Sequence, residues 1–398
     1  MRLAVYTDYE YTSDGTRRYG QRAFVVFLEA LREHVDRLVL VGRFDPRPGR
    51  SHYPLHEETE LVGLPHYESL GDPLAVLRSL VVSVARFWRL LDEVDTVWVL
   101  GPYPHSVLLA ILTALRGRRL VLGVRQDFPL YVRSRRPGRR WMHFSADLLE
   151  GIWRLLARRY PVVVVGPELE RKYREGGARS VFATTVSLVA EADLEAAAQA
   201  VAARDYSGAL TVLTVGRIDV EKNPLLLADV LARLRESTRD WRLLVCGEGP
   251  LREQLAARIG QLGLGDRVEL LGYVPIDGGL LELYRTSHAF LHVSWTEGFP
   301  QVLVEAFASG LPAVATAVGG VPAAADGAAL LVEPDDAAAA AAALERIVED
   351  PALRETLIDA GLERARAGTL ESASARLAEY LATTPLAQEP AARTRRSA

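Results

Sequence analysis

Two α/β domains of similar size are what this sequence predicts, and three observations predict them. Its 398 residues exceed what one hydrophobic core usually organises. Short runs of Val and Leu alternate with longer stretches of helical periodicity, the pattern of parallel strands covered on both faces. The alternation occurs twice, on either side of an alanine- and acid-rich stretch at 189–206.

In the first series, 3–7, 37–41, 96–100, 120–124 and 162–165 read as strands, with helices at 21–34 and 106–115. In the second, strands are expected at 210–215, 242–246, 268–271, 289–293 and 313–316. Helices are expected at 224–236, 251–262, 302–309, 337–349 and 352–367. This places domains at 1–190 and 205–368, a closing helix within 369–384, and a disordered tail at 385–398 rich in Pro, Ala, Arg and Ser. Ligands of such sheets lie at the C-terminal ends of the strands, so the expected site is a cleft between the domains.

The totals exclude several classes. A net charge of −4 gives no reason to expect nucleic-acid binding. One cysteine, Cys246, permits no internal disulfide and fits a reducing compartment. The N-terminus reads as a strand rather than a leader, and arginines interrupt every long apolar stretch, so a soluble or peripheral, cytoplasmic protein is expected. Against that background 131–160 stands out. It holds eight arginines, at 133, 135, 136, 139, 140, 154, 158 and 159, interleaved with Trp141, Phe144 and Trp153, and carries +6. It reads either as a peripheral contact with an anionic membrane or acceptor, or as a solvated loop followed by a helix whose apolar face is core.

Chemistry concentrates in the second series. After the strand ending near 294 comes Glu297, then Pro300 at a helix start, Glu305 within the helix, and Gly310 with Pro312 at its end. A helix N-terminus attracts anions, whereas carboxylates beside it suit sugar or ribose hydroxyls. The bland alternative is a favourable charge at a helix start and a solvated helical residue. A second loop, 216–224, follows a strand and holds Gly216, Arg217 and Lys222, two cations placed to neutralise a diphosphate leaving group. Only two of the 47 basic residues are lysine, which makes the ammonium at 222 notable. Gly247 with Gly249, and Gly319 with Gly320, follow other strands, where they serve either to admit a ligand to the backbone or to make tight turns. No Asp-x-Asp pair and no His/Cys cluster occurs, so no metal is expected.

In this order and spacing, 216–223, 247–250, 272–274 and 297–305 resemble the donor domain of retaining glycosyltransferase family 4, well matched over 212–322. The resemblance implies a GT-B fold of two Rossmann-like domains and a nucleotide-sugar donor as substrate, with no cofactor. Arg217 and Lys222 would hold the diphosphate, Glu305 the ribose and Glu297 the sugar, with the backbone at Tyr273 and Val274 meeting the base. It further implies that the loop at 12–16, with Gly15, approaches the diphosphate, and that the closing helix crosses back to the N-terminal domain. This chain departs from the pattern in two places. Arg125, Gln126 and Asp127 stand where the family often has a histidine, leaving them as acceptor or sugar contacts, or Asp127 as a local cap; and Ala323 replaces an acidic residue. The rival readings are a GT-B sugar-nucleotide epimerase and a non-catalytic nucleotide-sugar-binding protein. Base, sugar and acceptor are not named by the sequence.

Overall fold

The computed structural model describes residues 1–66, 73–136 and 138–384. The tail expected to be disordered, 385–398, lies outside the described residues. Two compact units divide the chain: Met1–Val186 with the chain from Ser372 onward, and Ser187–Glu371.

In the first unit, parallel strands run in the spatial order Glu60–Pro65, Arg37–Pro48, Arg2–Ser13, Thr96–Gly101, Arg119–Val124, Val162–Val165, Val181–Thr184. The first strand outruns its expected end at residue 7. It shifts register between Tyr6 and Glu10, then continues to Ser13, where Arg37–Pro48 still pairs with it and an antiparallel partner, Arg18–Gly20, pairs with it as well. Residues 12–16 therefore form a hairpin tip rather than a strand-to-helix loop, and the helix begins at Phe24 rather than 21. Helices Pro73–Leu90, Pro104–Leu115, Arg140–Ala157 and Pro167–Glu175 share one core with the strands, through Phe87, Leu109, Trp153 and Tyr173. The last helix, Leu370–Thr383, stacks Tyr380 on Phe182 at 4.5 Å between ring centroids and pairs its hydroxyl with Ser180 at 3.0 Å.

The second unit is a six-stranded parallel sheet in the order Val268–Gly272, Trp241–Cys246, Leu210–Val215, Ala289–His292, Ala313–Thr316, Ala329–Val332. Numbered within the unit this is 3-2-1-4-5-6, the doubly wound order of Rossmann-like domains. The strand at 329–332 is absent from the sequence reading, being only four residues long after Gly327. Helix Leu225–Leu234 forms because Leu226, Leu227, Val230, Leu231 and Leu234 recur at helical spacing, and all five are buried against the sheet. Helices Ala337–Glu349 and Pro351–Arg366 start where Asp336 and Asp350 accept the N–H of Ala339 and Leu353, at 2.8 and 3.0 Å.

Candidate active site

Strand order in the second unit reverses between Leu210–Val215 and Ala289–His292, which pair directly. In doubly wound sheets the crevice at the C-terminal ends of such strands is where ligands bind. The loops that leave these two strands carry Arg217, Lys222 and Glu297. They are joined where the Trp295 N–H donates to the Glu221 carbonyl at 3.0 Å.

The glycine loops hold this pair of loops in place. Gly216 and Ile218 donate N–H groups to the carbonyls of Cys246 and Glu248, both at 2.9 Å, and Leu251 donates back to Ile218 at 3.1 Å. A Cβ on Gly247 would overlap the Gly216 carbonyl oxygen, and one on Gly249 that of Ile218. On the other side, Gly320 donates to the Glu297 carbonyl at 3.1 Å, and a Cβ on Gly319 would overlap that same oxygen. At all three of Gly247, Gly249 and Gly319 the missing side chain is thus replaced by protein backbone. Their bareness lets the loop at 247–249 close on that of Arg217, and the loop at 319–320 on that of Glu297.

Lys222 Nζ donates to Glu297 Oε2. The same oxygen lies 3.3 Å from His292 Nε2 and accepts from Ser294 Oγ at 3.3 Å, while Thr316 Oγ1 donates to the Ser294 carbonyl at 2.7 Å. Burial pushes the Glu297 carboxyl up, but the hydrogen bond from His292 and the charge of Lys222 outweigh it and hold the group below the usual glutamate range. Glu297 is therefore a standing carboxylate, an acceptor for hydroxyls rather than a proton donor. His292 and Ser294 were not singled out from the sequence. The only signal was a histidine closing an otherwise apolar strand, Ala289–His292.

Arg217 is paired too. It donates to Asp219 Oδ2 at 2.9 Å and to Glu221 Oε1, and is 45% exposed. Below it, Asn223 takes a left-handed turn (φ 48°) and donates to Asp335 Oδ1 at 2.7 Å, an oxygen that also accepts from Trp295 Nε1 at 2.9 Å. Asp335 ties both loops down from 112 residues beyond Asn223, a separation that leaves no sequence signal.

Glu305 lies apart from this cluster in its hydrogen bonding. It sits in helix Gln301–Ala308, is buried, and accepts from the Tyr284 hydroxyl at 2.9 Å in a recess also lined by Val189, Asp193, Ile276 and Leu280. Burial pushes its carboxyl up over the opposing hydrogen bond from Tyr284. A solvated helical residue is thereby excluded. Tyr273 is partly exposed just past strand Val268–Gly272, and Val274 packs on the same core as Ile276.

The remaining candidates belong to the first unit. Gly15 has φ 92° and spends its N–H on Ser13 Oγ at 3.1 Å, at the hairpin tip fastened by Asp14. Arg125 follows strand Arg119–Val124. Its guanidinium lies 3.8 Å from the centroid of the Phe24 ring and donates to the Tyr9 hydroxyl, and its Nε is buried without a partner. No carboxylate pairs with it among the described residues, and burial lowers its pKa to about 10. Gln126 is half-buried beside it. Asp127 is a cap: it accepts from the Leu130 N–H at 3.1 Å at the start of helix Phe128–Arg135 and pairs with Lys172 at 2.9 Å. Elsewhere in this unit, Glu10, Asp45 and His66 bring ligand atoms within 4.8 Å of one another, a trio the sequence reading missed. Arg47 donates to both Asp45 oxygens and Gln21 to Glu10, so protein donors already occupy the group.

Comparison with known proteins gives a consistent answer. Residues 197–364 match the model of glycosyl transferases group 1. The gpi3 subunit of phosphatidylinositol N-acetylglucosaminyltransferase of Schizosaccharomyces pombe is 36% identical over 121 residues, 30% of this chain and 26% of that protein. D-inositol 3-phosphate glycosyltransferase of Corynebacterium diphtheriae is 34% identical over 172 residues, 41% of this chain and 40% of its own. The matches thus span between about a quarter and two fifths of these relatives. Among solved structures, sucrose-phosphate synthase of Thermosynechococcus elongatus superimposes with a TM-score of 0.72 at 20% identity, covering 95% of this chain and 98% of that one. Anabaena HepE in complex with UDP gives 0.68 at 18%, covering 96% and 100%. The chain therefore has a GT-B fold whose residues 197–364 match glycosyl transferases group 1.

Proposed function

We propose that this protein moves a sugar from a nucleoside-diphosphate sugar to an acceptor hydroxyl, with retention of anomeric configuration and without a metal. The observation that carries the reading is the Lys222–Glu297 pair where the strand order of the second unit reverses. Lys222, with Arg217 released from Asp219 and Glu221, neutralises the diphosphate as its bond to the anomeric carbon breaks. Glu297, held ionised, accepts hydrogen bonds from the sugar hydroxyls. Glu305 serves the ribose, and Tyr273 and Val274 the base. The acceptor oxygen bonds to the anomeric carbon on the face the diphosphate leaves, and its proton passes to the departing phosphate. Arg125 and Gln126 are the acceptor or sugar contacts of this scheme; Asp127, spent on its cap and Lys172, is withdrawn from it.

UDP-linked sugars are the first donors to test, because a structural neighbour holds UDP. A lipid-borne acceptor is favoured by the phosphatidylinositol in one relative's name. The test is incubation with a panel of nucleotide sugars in excess chelator, reading nucleotide release and, by proton NMR, the anomer formed. Release with retention is expected. Dependence on added manganese or magnesium, an inverted product, or no release from any donor would refute the respective part.

A further inference from the structure

The outer surface of the first unit is more apolar than its core requires. Helices Pro73–Leu90, Pro104–Leu115 and Arg140–Ala157 form one layer: the middle helix packs against both others, and all three bury their inner residues in the same core. Their opposite faces point to solvent, yet are not polar. On the first helix Leu74, Leu77 and Val81 recur at i, i+3 and i+7, with Val81 69% exposed. On the middle helix Ile111 and Leu115 follow at i and i+4, with Leu115 72% exposed. On the third, Trp141, Phe144, Leu148 and Leu155 make a stripe at i, i+3, i+7 and i+14, with Phe144 70% exposed. This stripe is distinct from the core stripe of Ala146, Trp153 and Ala157 on the same helix. The expectation that the apolar residues of 131–160 are only core is therefore wrong for Trp141, Phe144 and Leu155. Scattered exposed leucines need no explanation, but three neighbouring helices each apolar on the solvent side mark an interaction surface.

The charges around it select the partner. Arg139 and Arg140 stand exposed at the start of the third helix, Arg158 just past its end, and Arg78 beside Leu77 on the first. Asp147, the acid on the solvent face of the third helix, is already bound by Arg133 at 2.7 Å. Apolar stripes flanked by arginines fit an anionic lipid surface, where large side chains enter the acyl boundary and guanidiniums meet the headgroups. Among the described residues no helix is long and apolar enough to cross a membrane. We propose that this three-helix face docks the protein on an anionic bilayer, with Val81, Leu115 and Phe144 inserted. The surface is thus wider than the arginine-rich stretch alone. It stands on the first unit only and does not depend on the donor-site reading.

The test uses the full chain, co-sedimented with vesicles of phosphatidylglycerol and phosphatidylcholine, and with phosphatidylcholine alone. The wild-type protein should pellet with the anionic vesicles and be released by salt, since such attraction is screened over about 8–10 Å. The triple variant Val81→Ser, Leu115→Ser, Phe144→Ser should lose about tenfold or more in partitioning, as should Arg139→Glu with Arg140→Glu. All five positions are exposed, so an unchanged melting temperature checks the fold of both variants. Wild-type protein left in the supernatant, equal pelleting with neutral vesicles, or either variant binding like wild type would overturn the proposal. So would a concentration-dependent dimer that the triple variant abolishes while vesicles bind neither form, because the face would then belong to a second copy of this chain.

Discussion

Replacing Lys222 by Met separates the two roles its ion pair can have. Lys222 is 24% and Glu297 13% exposed at the side chain, so the pair is largely out of water. Breaking a fully buried pair costs about 3–5 kcal/mol; with His292 and Ser294 still facing Glu297, about 2 kcal/mol is expected here. In a unit of this size that lowers the melting temperature by roughly 4–8 °C. Turnover should fall about 10²–10³-fold, the usual effect of removing one preorganised donor from a developing anion. The double variant Lys222→Met with Glu297→Gln leaves no unpaired charge, so it should regain most of the lost stability while staying inactive. The pH dependence follows from the lowered carboxyl of Glu297. Its stabilising contribution is present above the ordinary glutamate range and is lost as pH falls through the lowered value, and Lys222→Met should flatten that acid limb. Differential scanning calorimetry across pH, with initial rates of nucleotide release, measures all of this. A Lys222→Met protein that melts lower but keeps turnover within about threefold of wild type would show that the pair only holds two loops together.

Two further outcomes test the buried ionisable groups. Arg125→Met should raise the melting temperature by roughly 2–4 °C, because it removes a buried charge without a carboxylate, and should impair transfer if Arg125 meets the substrate. A lower melting temperature with normal transfer would assign Arg125 to packing on Phe24 and Tyr9 alone. Glu305 has a raised pKa, so the folded unit keeps a proton that the unfolded chain releases. Stability should therefore fall as pH rises from the ordinary glutamate value of 4.5 through the raised one, and Glu305→Gln should remove that slope. If its pH–stability curve matches wild type, the burial of this carboxyl is misjudged; if UDP affinity is also unchanged, its assignment to the ribose fails.

The fold class was legible in the sequence because parallel strands buried on both faces are nearly continuous in apolar residues, as 162–165 and 120–124 are. The loops at 216–223 and 297–305 stood out because glycine, lysine and glutamate at strand ends break that apolar grammar. What escaped was set by partners distant in the chain. The first strand reaches Ser13 because Arg37–Pro48 and Arg18–Gly20 both pair with its far end, and Gly15 becomes a hairpin tip through the second of these pairings. Asp335 joins Asn223 to Trp295 across the sheet, and His292 meets Glu297 only once strand and loop are in place. Likewise a sequence shows that Trp141, Phe144 and Trp153 share one helix, but not which of them point inward. The helical period fixes their angular spacing, and only packing against the sheet decides that Trp153 is core while Trp141 and Phe144 face solvent.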